Sequence, residues 1–188
     1  MPFYGQGKCR VDLHTLLASF KLLEVFFCKP QQSAVTAYRG MKSPPDVVFD
    51  RVHRLMVWIP DGVMDEQRIE QLIDALAHEE ALAQTYFNRF SDFSNIDRVN
   101  LNFDYVFNAA LLRRLTHASG PKVKSALVVQ SLEAMHYSKL YATLTEHSSL
   151  QVRLFNNREA AASWLGVPAD LLTIPAAPQA GAAERARK

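Results

Sequence analysis

A short polar segment interrupts an aromatic stretch at residues 88–94, which read Asn-Arg-Phe-Ser-Asp-Phe-Ser. Arg89 and Asp92 lie toward the end of a predicted strand, and Ser94 follows them. Because open α/β sheets present ligands at the carboxyl ends of their strands, these side chains are predicted to form a polar floor for a small ligand or a partner segment. The alternative is a buried or half-buried ion pair between Arg89 and Asp92 that fixes the following loop.

His136 and Tyr137 stand at the start of the helix that follows the next predicted strand, so they are expected to line the same edge. Packing in the core is the alternative role for both. A concave polar site that includes Arg89, Asp92 and His136 would suit an enzyme, and a histidine with a shifted pKa would mark it. We expect no catalysis, because the sequence holds neither a Gly-x-Ser-x-Gly turn nor a glycine-rich phosphate loop.

Metal and cofactor sites are not expected either. The six histidines include no pair at the short spacing that places two imidazoles on one helical face, and Cys9 and Cys28 both lie near the amino end. His117 and His147 are predicted near helix C-termini, where a protonated imidazole interacts favourably with the helix dipole. The acidic residues between Asp65 and Glu80 are interpreted as a solvated helix face.

The basic character of the 188-residue chain belongs to its two ends, although the net charge is +2 and the pI is about 8.6. Residues 1–45 contain six Lys/Arg and two Asp/Glu, and residues 173–188 contain three and one. The remaining 12 basic and 16 acidic residues give the middle of the chain a net charge of −4. We therefore expect no nucleic-acid partner.

The first 45 residues are predicted to be an N-terminal extension with an amphipathic helix at 12–28. Lys21 and Glu24 interrupt its apolar run, which argues against a transmembrane helix, a signal peptide and stable membrane insertion. Three interpretations stay open: a peripheral helix on a flexible linker, a membrane-surface or partner-binding helix, and a segment outside the natural protein, with Met41 as its start. Two cysteines and a cysteine-free core favour a soluble, cytoplasmic protein.

Between the two ends, apolar runs typical of strands alternate with patterns typical of helices. Strands are predicted at 46–52, 55–59, 85–93, 122–130 and 150–155. Helices are predicted to begin after Asp65, after Asn100 or Asn102, after Ser131 and after Asn157. This order predicts an α/β domain at 46–172, followed by a disordered tail at 173–188. The expected fold is a single, mostly parallel sheet of about five strands with an antiparallel edge strand, flanked by four helices.

The last third of the domain resembles a known family. A strand at 123–129 leads into a helix, and a strand at 150–155 ends in Phe155 before the helix Asn-Arg-Glu-Ala-Ala-Ala-Ser-Trp-Leu at 157–165. This closing pattern resembles the STAS superfamily (sulfate transporter and anti-anti-sigma factor antagonist). It is closest to the sporulation anti-anti-sigma-like branch of small bacterial proteins, whose fold is compared with the CRAL-TRIO domains. The match covers roughly residues 46–167.

The resemblance implies a non-catalytic binding module whose important surface surrounds the second helix. In the family, a partner kinase phosphorylates a serine in an Asp-Ser-Ser-Gly-like turn at the start of a helix, and the added charge breaks the partner interface. The corresponding region here, residues 92–103, lacks that tetrapeptide, and Asn100 and Asn102 stand at the helix start instead. Ser91 and Ser94 are near but out of register. No recognisable phospho-serine switch is therefore predicted.

Three hypotheses on function follow from these observations. The first is a STAS-like module that binds a protein partner or a small apolar or anionic ligand, with homodimer formation left open. The second is a lipid- or amphipath-carrying domain of the CRAL-TRIO kind, with a deep apolar pocket lined by Phe103, Phe107, Leu111 and Tyr141. The third, which is the least favoured, is an enzyme that uses the polar residues at the strand edge.

Overall fold

The structure, a computed structural model, describes residue 44 and residues 46–174. The predicted amphipathic helix at 12–28 lies outside the described residues. The predicted disordered tail also lies outside them, apart from its first two positions. One of these, Ile174, packs against the core of the domain, so the ordered chain extends slightly beyond residue 172.

A five-stranded sheet in the order β1-β2-β4-β6-β7 forms the centre of the domain. Its strands are β1 (Val47–Asp50), β2 (Leu55–Trp58), β4 (Asn88–Asp92), β6 (Val123–Val128) and β7 (Leu150–Phe155). The edge strand β1 is antiparallel to β2, and the other neighbours are parallel. The prediction of a mostly parallel sheet with an antiparallel edge strand is confirmed.

Three helices lie between strands in the chain and a fourth follows β7, and each begins at a side chain that accepts a hydrogen bond from a main-chain N–H of its first turn. They are α1 (Glu66–Ala83), α2 (Phe103–Thr116), α3 (Leu132–Leu144) and α4 (Arg158–Leu165). The caps are Asp65, Asn102, Ser131 and Asn157, with acceptor distances of 2.8–3.2 Å. Helix α4 ends at Gly166, whose φ of 80° favours glycine. The structure thus chooses Asn102 over Asn100 as the start of the second helix.

Two short strands form a separate parallel pair that the sequence did not predict. They are β3 (Gly62–Asp65) and β5 (Ile96–Asn100). Each is four or five residues long and shows no alternation of apolar and polar residues, so a local pattern could not identify it. The pair forms only because the intervening chain returns from α1 and β4 to place β5 beside β3.

The two faces of the main sheet carry different layers. On one face, Phe90 and Ala126 pack against α4 and the short 3-10 turn Ala169–Leu172. On the other face, Trp58 packs with Leu76 of α1, and Leu127 packs with Ala134 of α3. Helix α2 lies against α3. This second face, with its three helices, holds the candidate site.

Candidate functional site

An apolar cavity of about 170 Å³ lies between the main sheet, the β3–β5 pair and helices α1, α2 and α3. Apolar side chains from all of these elements form most of its wall, among them Met56, Ile73, Val99, Val106 and Leu127. The polar groups on the wall are few: two arginines, three serines and three tyrosines. Mostly apolar walls with a small number of polar groups are typical of sites that bind small molecules.

Arg89 forms the charged end of this cavity. It is the second residue of β4 and is 5% exposed. Its Nη2 atom lies 3.5 Å from Glu80 Oε1 and 3.4 Å from His117 Nε2. Its Nε atom is buried and has no hydrogen-bond partner among the described residues. Burial, followed by the nearby charge of Arg113, lowers the pKa of Arg89 from its ordinary value.

The His117 ring contacts the guanidinium group of Arg89 and is neutral at pH 7. It is 4% exposed at the end of α2, with Nδ1 3.1 Å from the carbonyl oxygen of Arg113 and from Thr116 Oγ1. Burial, together with the charge of Arg89, lowers its pKa to about 4. The Nδ1–H tautomer therefore donates to Arg113, and Nε2 faces Arg89 as an acceptor. The prediction that a protonated His117 stabilises its helix dipole is wrong for this reason.

The opposite end of the cavity is apolar apart from aromatic hydroxyls. Tyr137 lines it and donates from its hydroxyl to the carbonyl oxygen of Leu101, at 2.9 Å. Tyr105 also lines it and donates to the carbonyl oxygen of Glu66, at 3.3 Å. Burial, with Glu70 and Glu66 nearby, raises the pKa of Tyr105 to about 12. Both phenols thus have main-chain partners and present their rings to the cavity.

Asp92 does not share this site with Arg89. Three positions apart on one strand, the two side chains point to opposite faces of the sheet. Asp92 accepts a hydrogen bond of 2.8 Å from Arg158 Nη2 at the start of α4, and one of 3.1 Å from the main-chain N–H of Ser94. Burial opposes its ionisation, but the hydrogen bonds from Ser94 and Arg158 outweigh burial and lower the pKa of Asp92.

The predicted strand-edge site is therefore not assembled as expected. The ion pair that fixes the loop after β4 is formed by Asp92 and Arg158, where the sequence suggested Asp92 and Arg89. Arg89 lies near the amino end of β4, away from the carboxyl edge that the argument from open α/β sheets assumed. Ser94 lies in the loop that follows Asp92 and does not line the cavity.

Asn102 and His136 also lie outside the cavity. The Asn102 side chain accepts the 2.9 Å hydrogen bond that caps α2, and its main-chain N–H donates to Glu66. His136 is exposed on α3, with its ring in an edge contact with Tyr137 at 5.7 Å. Of the six site residues predicted from sequence, the cavity brings together Arg89 and Tyr137.

The pocket expected for a lipid-carrying domain is present, but its wall differs from the prediction. Tyr141 lines the cavity as expected. Phe103, Phe107 and Leu111 do not, because they lie on the outer face of α2 and are 41–53% exposed. The prediction that these residues lie on one helix is confirmed. The prediction that they face the core is wrong.

Three further polar residues line the cavity outside the predicted site. In the sequence, Arg113 belongs to a basic cluster with Arg114, Lys122 and Lys124, which was interpreted as a candidate site for an anion or an acidic partner; Ser125 and Ser138 were not considered. Ser125 is the direct neighbour of Arg89 across the β4–β6 pairing, and both line the cavity. The sequence contains a pattern that indicates this polar lining. On β4, Arg89 and Ser91 lie two positions apart with Phe90 between them, and on β6, Ser125 directly precedes the apolar residues 126–129. Polar residues two apart on buried strands indicate a polar lining on one face.

The described part of the chain contains neither a cluster of potential metal ligands nor a helix able to span a membrane. Within residue 44 and residues 46–174, no three or more His, Cys, Asp or Glu side chains are grouped so that they could hold a metal ion. None of the helices in that part of the chain is long and apolar enough to cross a membrane.

Comparisons with known proteins give one likeness to report. No family model and no curated protein matches the chain. Among solved structures, the chain is similar to an uncharacterized protein of the DUF3478 family with a SpoIIAA-like fold, from Shewanella loihica. The two share 17% identity over 67% of this chain and 99% of that chain, with a TM-score of 0.43.

Proposed function

We propose that the chain is a non-catalytic, STAS-like binding domain that takes up a small, largely apolar molecule between the main sheet and helices α1, α2 and α3. The observation that supports this proposal is the cavity of about 170 Å³ and its apolar wall. An engineered apolar cavity of about 150 Å³ stays dry and binds benzene. The cavity here is of the size that suits a ligand of about eight to ten heavy atoms.

A ligand that fills this space gains contacts with the apolar wall and stabilises the folded chain by binding to it.

The arrangement of polar groups favours binding over acid–base catalysis. His117, the buried histidine nearest the cavity, has its ring nitrogens engaged by Arg89 on one side and by Arg113 and Thr116 on the other. A general base needs a free ring nitrogen within reach of the proton that it abstracts. The neutral ring contacts Arg89 through Nε2 and helps to hold the guanidinium group in position.

Octan-1-ol is a suitable neutral probe for the cavity. We expect the full-length chain to bind it with a Kd between about 10 μM and 1 mM, which is the range for nine heavy atoms at ordinary ligand efficiency. Ala109 lines the cavity from α2, so Ala109→Phe should fill the space with its ring and abolish binding. Isothermal titration calorimetry measures both.

The matched control is Ala81→Phe, which places the same ring on the exposed face of α1 and should bind as the wild type does. Binding by wild type and Ala109→Phe with equal affinity would place the alcohol elsewhere on the protein. No binding by the wild type would contradict the proposal outright.

A second candidate function, engagement of a protein partner, is favoured by the outer face of α2. Phe103, Phe107, Leu111 and Leu115 recur at every fourth position and are 41–53% exposed, and the rings of Phe103 and Phe107 stack at 6.4 Å. The four-residue spacing places them in one stripe along the helix. A contiguous apolar stripe on a surface marks an interaction site. We call these four residues the α2 stripe.

The partner that fits the α2 stripe best is a second copy of this chain. The α2 stripe is apolar along its whole length, so it can pair with itself. When two copies of α2 pair antiparallel about a two-fold axis, Phe107 of each copy lies beside Leu111 of the other, and Phe103 lies beside Leu115. Because one helix face is smaller than the ~800 Å² per partner of a standard interface, we propose a weak, concentration-dependent homodimer.

Leu111→Glu should abolish this dimer, since it buries a carboxylate in the centre of the α2 stripe. Sedimentation velocity over a hundredfold range of concentration measures the monomer fraction. Leu132→Glu, at an exposed position of α3, is the control. A wild type that stays monomeric throughout rules out this second function.

A further inference from the structure

We propose that the ligand of the cavity is an amphipathic anion, an alkyl or aryl chain that ends in a carboxylate, and that Arg89 and Arg113 bind its head group. This inference rests on the proposed function, since it names the chemical class of the molecule that the cavity takes up. Four features of the charged end support it: an unsatisfied donor, an excess of positive charge, adjacent hydroxyl groups and an apolar opposite end.

The unsatisfied donor is the Nε–H group of Arg89. Arg89 is 5% exposed and lines the cavity, and its Nε is the only buried side-chain nitrogen or oxygen without a hydrogen-bond partner among residue 44 and residues 46–174. The contacts of its Nη2 with Glu80 and His117 are long, at 3.5 and 3.4 Å. Buried donors are almost always satisfied, so an unpaired donor on a side chain that lines the cavity favours an acceptor at this end.

The positive charge at this end exceeds the negative charge. Arg89 and Arg113 both line the cavity, and the charge of Arg113 adds to burial in lowering the pKa of Arg89. Glu80 neutralises one charge, and Arg113 forms no ion pair with the described residues. His117 is neutral at pH 7 and adds none. In a low-dielectric site, one uncompensated positive charge strongly favours an anion over a neutral head group.

Hydroxyl groups lie beside this charge, whereas the two tyrosine hydroxyls at the far end, Tyr105 and Tyr137, donate to main-chain carbonyl oxygens. Ser125 is the direct neighbour of Arg89 in the β4–β6 pairing, and Tyr141 is close enough to act on the pKa of Arg89. Tyr137, one turn earlier on α3, is already bonded to the carbonyl oxygen of Leu101 near β5. The cavity therefore runs from a cationic, hydroxyl-bearing end at Arg89 to an apolar end at Ile96 and Val99.

A carboxylate fits this end better than a neutral head does. A carboxylate accepts hydrogen bonds at two oxygens and can satisfy the Arg89 Nε–H while facing Arg113, and charge-assisted bonds of this kind are the strong ones. An alcohol offers one weakly basic oxygen and leaves the charge uncompensated. An alkyl phosphate shares the anionic chemistry but carries a bulkier head, which the volume of about 170 Å³ does not favour with an eight-carbon chain.

Titration of the full-length chain with octanoate, octan-1-ol and octyl phosphate tests the inference at a single chain length. We expect octanoate to bind at least about tenfold more tightly than octan-1-ol, although the alcohol leaves water more readily. Arg89→Met should reduce octanoate affinity at least about tenfold and leave octan-1-ol unchanged. Arg89→Lys keeps the charge and the fold and should give an intermediate loss, since an ammonium group lacks the Nε–H donor.

Arg113 and Arg114 offer a matched pair of variants on α2. Arg113 lines the cavity and Arg114 is exposed. Arg113→Met should weaken octanoate about threefold or more, and Arg114→Met should leave it unchanged. Equal affinity for octanoate and octan-1-ol would overturn the anion inference and leave the proposed function standing. Tighter binding of octyl phosphate would overturn the assignment of a carboxylate, and no binding of any probe would overturn both the inference and the proposed function.

Discussion

Replacing Phe90 with alanine is expected to lower the free energy of unfolding by about 3–5 kcal/mol. Phe90 is 0% exposed in β4, the central strand of the main sheet, and packs with Leu55, Ala126 and the residues of α4. Its ring lies on the face opposite the cavity, where tight packing leaves little room for relaxation. A void in the middle of this layer loses both the transfer free energy of the ring and its contacts.

Urea denaturation measures this loss, and the next residue on the strand supplies the control. Ser91 points to the other face and lines the cavity, so Ser91→Ala should cost less than about 1 kcal/mol. The contrast tests the central structural feature of β4, which has a packed face and a ligand-facing one. A loss below 1 kcal/mol for Phe90→Ala, or equal losses for the two variants, would show that the faces are assigned wrongly.

Acid is expected to destabilise the protein by about 3 kcal/mol through His117 alone. Its pKa is lowered to about 4 in the folded state, against an ordinary value of 6.5. The unfolded chain therefore binds a proton as the pH falls below 6.5, and the folded chain does so only near 4. Stability is fully present above pH 6.5 and is lost between 6.5 and 4, at about 1.4 kcal/mol for each unit of the shift.

The groups around His117 give the physical cause. The cation of Arg89 faces Nε2, the carbonyl oxygen of Arg113 and the hydroxyl of Thr116 contact Nδ1, and the ring of Tyr86 packs at 5.6 Å. A second proton on the ring would meet the guanidinium of Arg89 directly. The Arg113 carbonyl alone favours the protonated ring, and burial and Arg89 outweigh it.

The variant His117→Gln isolates this contribution. Asp92, whose pKa is lowered, also loses stability in acid, but it does so equally in wild type and variant. The difference in stability between the two proteins should therefore shrink by about 3 kcal/mol between pH 7 and pH 4, as measured by urea denaturation across that range. His136→Gln, at an exposed histidine, should keep the wild-type profile. Parallel profiles for wild type and His117→Gln contradict the assigned ring contacts.

The local sequence was sufficient to predict most of the main sheet and its helices. The continuous apolar run 126–129 predicted a strand buried on both faces, and Asp65, Ser131 and Asn157 predicted three helix starts. These features depend on periodicity and on caps, which act within a few residues. The pair β3–β5 was missed because its stability comes from partners more than thirty residues apart.

Only part of the candidate site could be predicted, because it too depends on contacts between residues that are far apart in the sequence. Arg89 and Tyr137 both line the cavity, at opposite ends, but Asp92 was grouped with Arg89 although three positions on a strand reverse the direction of the side chain. Arg113 reaches the charged end from α2, and no pattern on that helix distinguishes it from exposed Arg114. Which of two neighbouring arginines faces a cavity depends on the rotation of the helix, and tertiary packing sets that rotation.

The most direct test of the account is to locate bound octanoate within the protein by NMR. Intermolecular nuclear Overhauser effects between unlabelled octanoate and the isotope-labelled chain report on contacts of each end of the ligand. We expect the terminal methyl group to contact Ile96 and Val99, and the methylene group beside the carboxylate to contact Tyr141, near Arg89. Contacts confined to the α2 stripe, or no contacts at all in the presence of saturating octanoate, would contradict it.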